Sequence, residues 1–291
     1  MKSSARCRCV SKQWCNYIND SYLETMHAKR AHPMLITFHR FSSFSHPNSP
    51  CKLSFLEYKE DALEMKKKPP AMVFMCRTRN FDYPYYHAYV IVQGSCNGLL
   101  YSSQRHDDVI TLVVINPLRR ECYEVPPMNT PFCAEPSWHP VIDRILCVEP
   151  SCGLGFDDST NTFKMVCVVP RKQVQPKFNP VKDEHLCTMV HVLGTHSWRK
   201  IPQVPSYPIT SEGVFANGCL HWLANCKHDK FPIIRFDMKT EKFRLIKSPR
   251  KRTTDLIRVH LVDLHGQVGF VYMVIDCIVE VWVLKERQWA L

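Results

Sequence analysis

The chain has 291 residues, of which 45% are apolar and 22% charged, and it carries a net charge of +11. This is the composition of folded globular material, enough for one large domain or two small ones, and not of a disordered chain. No apolar run approaches the ~18–20 residues of a bilayer span, and no apolar stretch follows the basic N-terminus, so a membrane anchor and a secretory signal are not expected. The default compartment is cytoplasm or nucleus.

The first recognisable element lies near the N-terminus. Val10, Trp14, Ile18 and Tyr22 recur every four residues and drift slowly around one helical face. Asn19-Asp20-Ser21 supplies turn and capping chemistry. The pattern predicts a helix to about Tyr17 or Ile18, a break, and a second helix from Tyr22 to about Arg30. Pro33 then stops the helical run.

After Pro33 the helical period fades. Strands are predicted at Met34–Phe38, Ala71–Cys76, Ala88–Val92, Val109–Ile115, Phe163–Val169, Val190–Leu193, Ile233–Phe236, Val268–Tyr272 and Val279–Leu284, where β-branched and aromatic residues cluster. The nine glycines all fall in or beside turn signals, so they are read as hairpin markers.

One unit repeats. Ile115-Asn116 leads to Tyr123, Phe156-Asp157 to Phe163, and Phe236-Asp237 to Phe243. Each has an apolar residue, an Asn or Asp, a polar loop and an aromatic near the start of a return strand. The Asx side chain can bond backbone N–H groups and set the turn. A fourth hairpin, His191 to Ile201, places Trp198 in the aromatic position. Tyr123, Phe163, Trp198, Trp222 and Phe243 are therefore expected to be largely buried. Stacked hairpins of this kind predict blades around an axis, roughly five or six of them at ~40–50 residues per blade.

Candidate chemistry is sparse. Cys219, His221, Cys226 and His228 have the residue types of a zinc site. However, Cys219 and His221 sit in an apparent strand, Gly218–Leu223, where alternate residues simply share a face. Asp157-Asp158 is read as a hairpin turn and not as a pair of catalytic carboxylates. No nucleophile elbow, phosphate loop, dinucleotide fingerprint or zinc-protease motif is present. The fifteen cysteines are expected to be free thiols, mostly as small apolar core residues, in a reducing compartment. No cofactor, no metal and no catalytic residue is expected. The basic runs Lys66-Lys67-Lys68, Arg171-Lys172 and Arg250-Lys251-Arg252 are read as solvated loops, the last also resembling a nuclear-import signal. Without an RNA-binding signature, nucleic acid is not the expected partner.

Two resemblances carry a functional expectation. Arg6, Arg8, Cys9, Val10, Ser11, Lys12, Trp14, Ile18, Tyr22 and His27 resemble the second half of a plant-type F-box, the first half being absent. Further on, Gly94 to Leu100, Asn116-Pro117, Gly155-Phe156-Asp157, Ser197-Trp198-Arg199, Gly213 to Trp222, Phe236-Asp237 with Glu241-Lys242-Phe243, Leu264 to Gly269 and Val281 to Leu284 resemble, in order, the segments of plant F-box-associated domains, type 3. The resemblance implies a mainly β, β-propeller-like stack of antiparallel hairpin blades over 33–291, preceded by a two-helix partial F-box over 1–32. It implies a non-catalytic substrate receptor of a Skp-cullin-F-box ubiquitin ligase that binds a target protein through the β domain. It also implies adaptor contact through Cys9, Val10, Lys12, Trp14 and Ile18, weaker than for a complete F-box. The alternatives are a ligase-independent binding or scaffold domain, a degenerate F-box copy, or a basic nucleic-acid-binding protein. At the C-terminus, Trp289-Ala290-Leu291 falls where a return strand should begin, so the stack is expected to end on a short or missing strand.

Overall fold

The computed structural model describes residues 35–40, 51–59, 62–67, 72–74, 90–106, 109–117, 119, 121–128, 151–170, 186–207, 209, 212–224, 231–249, 256–274, 279–285 and 288–290. The two helices expected before Ala31 lie outside the described residues. Among the described residues there are twenty strands and no helix. All are arranged in four-stranded antiparallel sheets.

The chain divides into two compact units. The first holds β1 (Leu35–Arg40), β2 (Cys51–Lys59), β3 (Ala62–Lys67) and β4 (Met72–Phe74). Strand β2 is the centre of this sheet. It pairs with β1 from Cys51 to Leu56, with β3 near Leu56–Lys59 and with β4 at Cys51–Leu53. In the sequence, Pro69-Pro70 separates β3 from β4, and a proline has no N–H to give a ladder.

The second unit holds four up-and-down sheets, the blades of a propeller. They are β5 (Val90–Cys96) to β8 (Glu121–Glu124), with β6 at Leu99–His106 and β7 at Val109–Asn116; β9 (Ser151–Asp157), β10 (Thr162–Pro170), β11 (Leu186–Val192) and β12 (Trp198–Ile201); β13 (Val214–Ala216), β14 (Cys219–Leu223), β15 (Ile233–Asp237) and β16 (Phe243–Ile246); and β17 (Leu256–Leu264), β18 (Gln267–Val274), β19 (Val279–Lys285) and β20 (Gln288–Ala290). The tips of the first blade, 97–99 and 116–121, group with the first unit. The opening strands come together: β9 lies against β5 and β13, and β13 against β17. The return strand expected at the C-terminus is present as β20, three residues long and paired with β19.

The repeated turn chemistry is visible atom by atom. Asp237 Oδ1 accepts from the Lys239 and Thr240 N–H groups at 3.1 and 2.8 Å. Asp157 Oδ1 accepts from the Ser159 N–H at 3.0 Å, and Asn116 Oδ1 from the Arg119 N–H at 3.1 Å. The unit is not a blade repeat, however. It joins β9 to β10, first to second strand, in one blade, but β7 to β8 and β15 to β16, third to fourth, in two others. An Asx turn answers to the local geometry of two antiparallel strands, and any hairpin of a blade satisfies it.

The glycine reading is half correct. Asn217-Gly218 turns β13 into β14 with φ of 49° and 69°, the left-handed pair that a two-residue hairpin requires. Gly153 and Gly213 have a different reason. A Cβ on Gly213 would stand 2.8 Å from the Gly153 Cα and from the Trp222 ring, and one on Gly153 would stand 2.9 Å from Leu220. These two glycines let opening strands approach each other and one indole. Gly218→Ala, with nothing within 4 Å of its Cβ, should therefore cost only its backbone strain, about 1 kcal/mol. Gly213→Ala should cost more, about 1–3 kcal/mol by overpacking. Urea denaturation of the two variants tests the order, and equal losses would contradict it.

The aromatic expectation needs a correction of the same kind. Trp222 on β14 is wholly buried, but Tyr123, Phe163, Trp198 and Phe243 are only half-buried. Tyr123, Trp198 and Phe243 lie on the outermost strand of a blade, where one side has no neighbouring strand, and Phe163 follows a solvent-facing turn. Each still makes an aromatic contact: Phe156 with Phe163 at 4.9 Å and Phe236 with Phe243 at 4.8 Å between ring centres.

Candidate interaction surfaces

The blades are joined by polar contacts of two kinds. Between the first two blades of the second unit, Trp198 Nε1 donates to the Pro126 carbonyl at 2.7 Å. Beside it, His191 Nδ1 donates to the Ser197 carbonyl at 3.1 Å, and Nε2 stands 3.2 Å from the Tyr123 hydroxyl, which donates to the Thr195 carbonyl at 3.1 Å. Burial pulls His191 below the usual histidine range, against the opposing bond to Ser197. The third and fourth blades are joined in the same way, by Trp289 Nε1 donating to the Lys247 carbonyl at 2.7 Å.

The seam between the second and third blades is ionic. Lys164, on β10, donates to Asp157 Oδ2 at 2.7 Å, to the Met238 carbonyl at 3.0 Å and to Glu241 Oε1 at 3.0 Å. Glu241 is also held by Arg199, whose Nη1 donates to Oε2 at 2.8 Å while Nη2 donates to Oε1. Burial alone would push the Asp157 carboxyl up, but bonds from Lys164 and Ser159 win and hold it well below the usual carboxylate range. Glu241 is depressed too, Arg199 and Lys164 outweighing its burial.

A single carbonyl ties three blades together at the centre. Cys152 O accepts from the Gly213 N–H at 2.9 Å, the Tyr101 hydroxyl at 3.0 Å and Trp222 Nε1 at 3.3 Å. The Cys152 and Cys167 side chains face each other across β9 and β10. These two thiols, with Cys96, Cys187 and Cys219, are buried and unbridged, while Cys122 is exposed. Burial pushes the Cys96 and Cys167 thiols up, so they are not nucleophiles at neutral pH.

Asp157-Asp158 is a turn, with Asp157 buried against Lys164 and Asp158 exposed. Of the four possible zinc ligands, Cys226 and His228 lie outside the described residues. Cys219 and His221 are both on β14 and both buried. The Cys219 thiol accepts from Arg235 Nε at 3.0 Å. Burial, then the Arg235 charge, pulls His221 down to about 4, so it is neutral at pH 7. Among the described residues no cluster of three or more His, Cys, Asp or Glu side chains could hold a metal. The adaptor-contact residues Cys9, Val10, Lys12, Trp14 and Ile18 all lie outside the described residues. The Lys164–Glu241–Arg199 seam had no signal in the sequence.

A family model for the F-box associated β-propeller domain matches residues 35–290. The chain belongs to that family. Relatives of the propeller chain are plant F-box proteins. The F-box protein CPR1 of Arabidopsis thaliana is 25% identical over 313 residues, covering 98% of this chain and 66% of the relative. The Arabidopsis F-box/kelch-repeat protein At3g23880 is 26% identical over 138 residues, 46% of this chain, which match 35% of its own length. The putative F-box/kelch-repeat protein At1g12870, also from Arabidopsis, is 23% identical over 256 residues, 86% of this chain and 55% of the relative. The chain thus spans about a third to a half of the length of these last two relatives. Among solved structures, a variant of the Synechocystis apocarotenoid oxygenase matches with a TM-score of 0.43 and 11% identity, over 89% of this chain and 56% of that one. No chemistry is carried over from it.

Proposed function

We propose that this propeller domain captures a target protein for a Skp-cullin-F-box ubiquitin ligase. The observation that supports the reading is the family match across residues 35–290, reinforced by relatives that bear F-box names. On this reading Cys9, Val10, Lys12, Trp14 and Ile18 belong to the surface that meets a Skp-type adaptor, and the blades meet the target. The chain does no bond chemistry. Holding the target beside a ubiquitin-charged enzyme raises its effective concentration, which is sufficient for transfer. Rigid strands with variable connections suit such a receptor, because the connections can change without loss of the core. Action in the cytoplasm or nucleus is part of the same proposal.

Co-expression with a Skp-type adaptor tests the reading. The full chain should co-purify with the adaptor, and Trp14→Ala with Ile18→Ala should weaken capture by at least about tenfold, as loss of a buried aromatic anchor does. The double variant should keep the thermal transition of the β domain. Absence of capture, or capture unchanged by the double variant, would refute adaptor docking through this segment. The net charge of +11 supports a second reading, nucleic-acid binding. Affinity for a duplex that falls steeply with salt, without adaptor capture, would favour it.

A further inference from the structure

Strand β16 is the outermost strand of the third blade and pairs only with β15. Its free side can be derived residue by residue. The Asp237 N–H donates to the Lys242 carbonyl at 3.1 Å, so 237 and 242 form a hydrogen-bonded pair. Antiparallel pairs alternate, so Arg244 and Ile246, opposite Arg235 and Ile233, also turn their N–H and C=O groups toward β15. Phe243, Leu245 and Lys247 turn theirs outward. The bond from Trp289 to the outward Lys247 carbonyl agrees with this assignment and closes that end of the edge. Among the described residues, no strand pairs with the outward backbone of Phe243 and Leu245.

The side chains around this edge are of two kinds. Leu245 is 49% exposed. Lys239, Lys242, Arg244 and Lys247 are exposed and have no ion-pair partner among the described residues. The nearby acids are already engaged: Asp237 Oδ1 by the turn N–H groups, Glu241 by Lys164 and Arg199. Charge on an edge strand commonly guards against pairing with another strand. A half-exposed leucine between cations does not serve that end. The other outer strands lack the combination: β8 carries Glu121 and Glu124, β12 has no exposed apolar side chain, Trp198 being half-buried and Ile201 buried, and β20 has no charged residue.

We infer that β16 is a docking edge for an extended acidic segment of a protein partner, which adds to the third blade as a fifth antiparallel strand. The inference rests on the reading of the β domain as a target receptor. Main-chain bonds to Phe243 and Leu245 supply the pairing, and alternating side chains supply the selection. Residues opposite Phe243 and Leu245 share their face and should be apolar. Residues opposite Lys242 and Arg244 should be Asp or Glu.

The probe is a fluorescent nine-residue peptide of alternating glutamate and valine, capped at both ends and titrated against the full chain. A block peptide of the same composition and an alternating lysine–valine peptide are the controls. The alternating acidic peptide should bind at least about tenfold more tightly than either control, charge and register both contributing. Lys242→Glu with Arg244→Glu should weaken it by at least about tenfold. Leu245→Pro removes an outward N–H and no β15 bond, so it should weaken binding similarly while the thermal transition stays in place. Binding unchanged in the charge-reversal variant overturns the inference, as does a block peptide that binds equally well. An oligonucleotide that competes fully and is indifferent to Leu245→Pro also overturns it, by making the edge a general polyanion surface. Adaptor capture does not involve β16, so failure here leaves the receptor reading standing, and failure of capture leaves peptide binding to be judged on its own.

Discussion

Trp222→Ala is expected to destabilise the β domain by about 3–5 kcal/mol, the range of core aromatic truncations. Trp222 is wholly buried on the second strand of its blade, within a cluster that includes Leu220, Ile234 and Phe236. Its ring also lies flush against the backbone of Gly153 and Gly213. Two glycines have no side chain that could relax into the vacated volume, so the cavity stays open and its full cost is felt. The substitution also takes one of three donors from the Cys152 carbonyl. Trp198→Ala, which empties a half-exposed site and loses one bond to Pro126, should cost about 1–2 kcal/mol. Urea denaturation of both variants measures the difference. A Trp222→Ala loss below that of Trp198→Ala would contradict the assignment of the domain centre.

Lys164→Met is the second large effect, about 3–5 kcal/mol at pH 7. Methionine keeps the stem volume and removes the charge, which leaves the Asp157 carboxylate buried without its cation. The pH dependence follows from the sign of the shift. In the wild type Asp157 is held well below the usual carboxylate range. Its contribution is therefore complete above the unfolded-state value of about 3.9 and is lost as pH falls through the lower folded-state value. In the variant, burial is opposed only by Ser159, so protonating Asp157 relieves the penalty. The stability gap between wild type and variant should narrow as pH falls from 7 toward 4.5. Asp157→Asn with Lys164→Met should recover much of the loss at pH 7, since both charges are then gone. A gap independent of pH, with no recovery in the double variant, would remove Asp157 as its source.

The family resemblance and the β class were legible because they rest on local patterns. Asx turns at Asn116, Asp157 and Asp237 need only neighbouring backbone, so the residue pattern and the observed bonds coincide. Strands such as β14 and β15 announced themselves through clustered apolar and aromatic residues, Leu220, Trp222 and Leu223 in the one and Ile233, Ile234 and Phe236 in the other, all of them buried. Short outer strands did not. In β12 and β16, Arg199, Lys200 and Arg244 face solvent, and strand formation there follows from pairing with β11 and β15, not from propensity.

Composition and order thus determined that this chain folds as repeated antiparallel hairpins and which family it resembles, because turn geometry and side-chain alternation act over a few residues. Tertiary structure alone decided how the hairpins are used. It put one Asx unit between first and second strands and others between third and fourth. It turned Gly153 and Gly213 from turn markers into the contact that seats Trp222. It brought Lys164 to Glu241, 77 residues apart in sequence, and left the outward β16 backbone with no pairing strand among the described residues, beside uncompensated cations. None of these can be read from neighbours in the chain, since each depends on which strands face each other once the blades have packed.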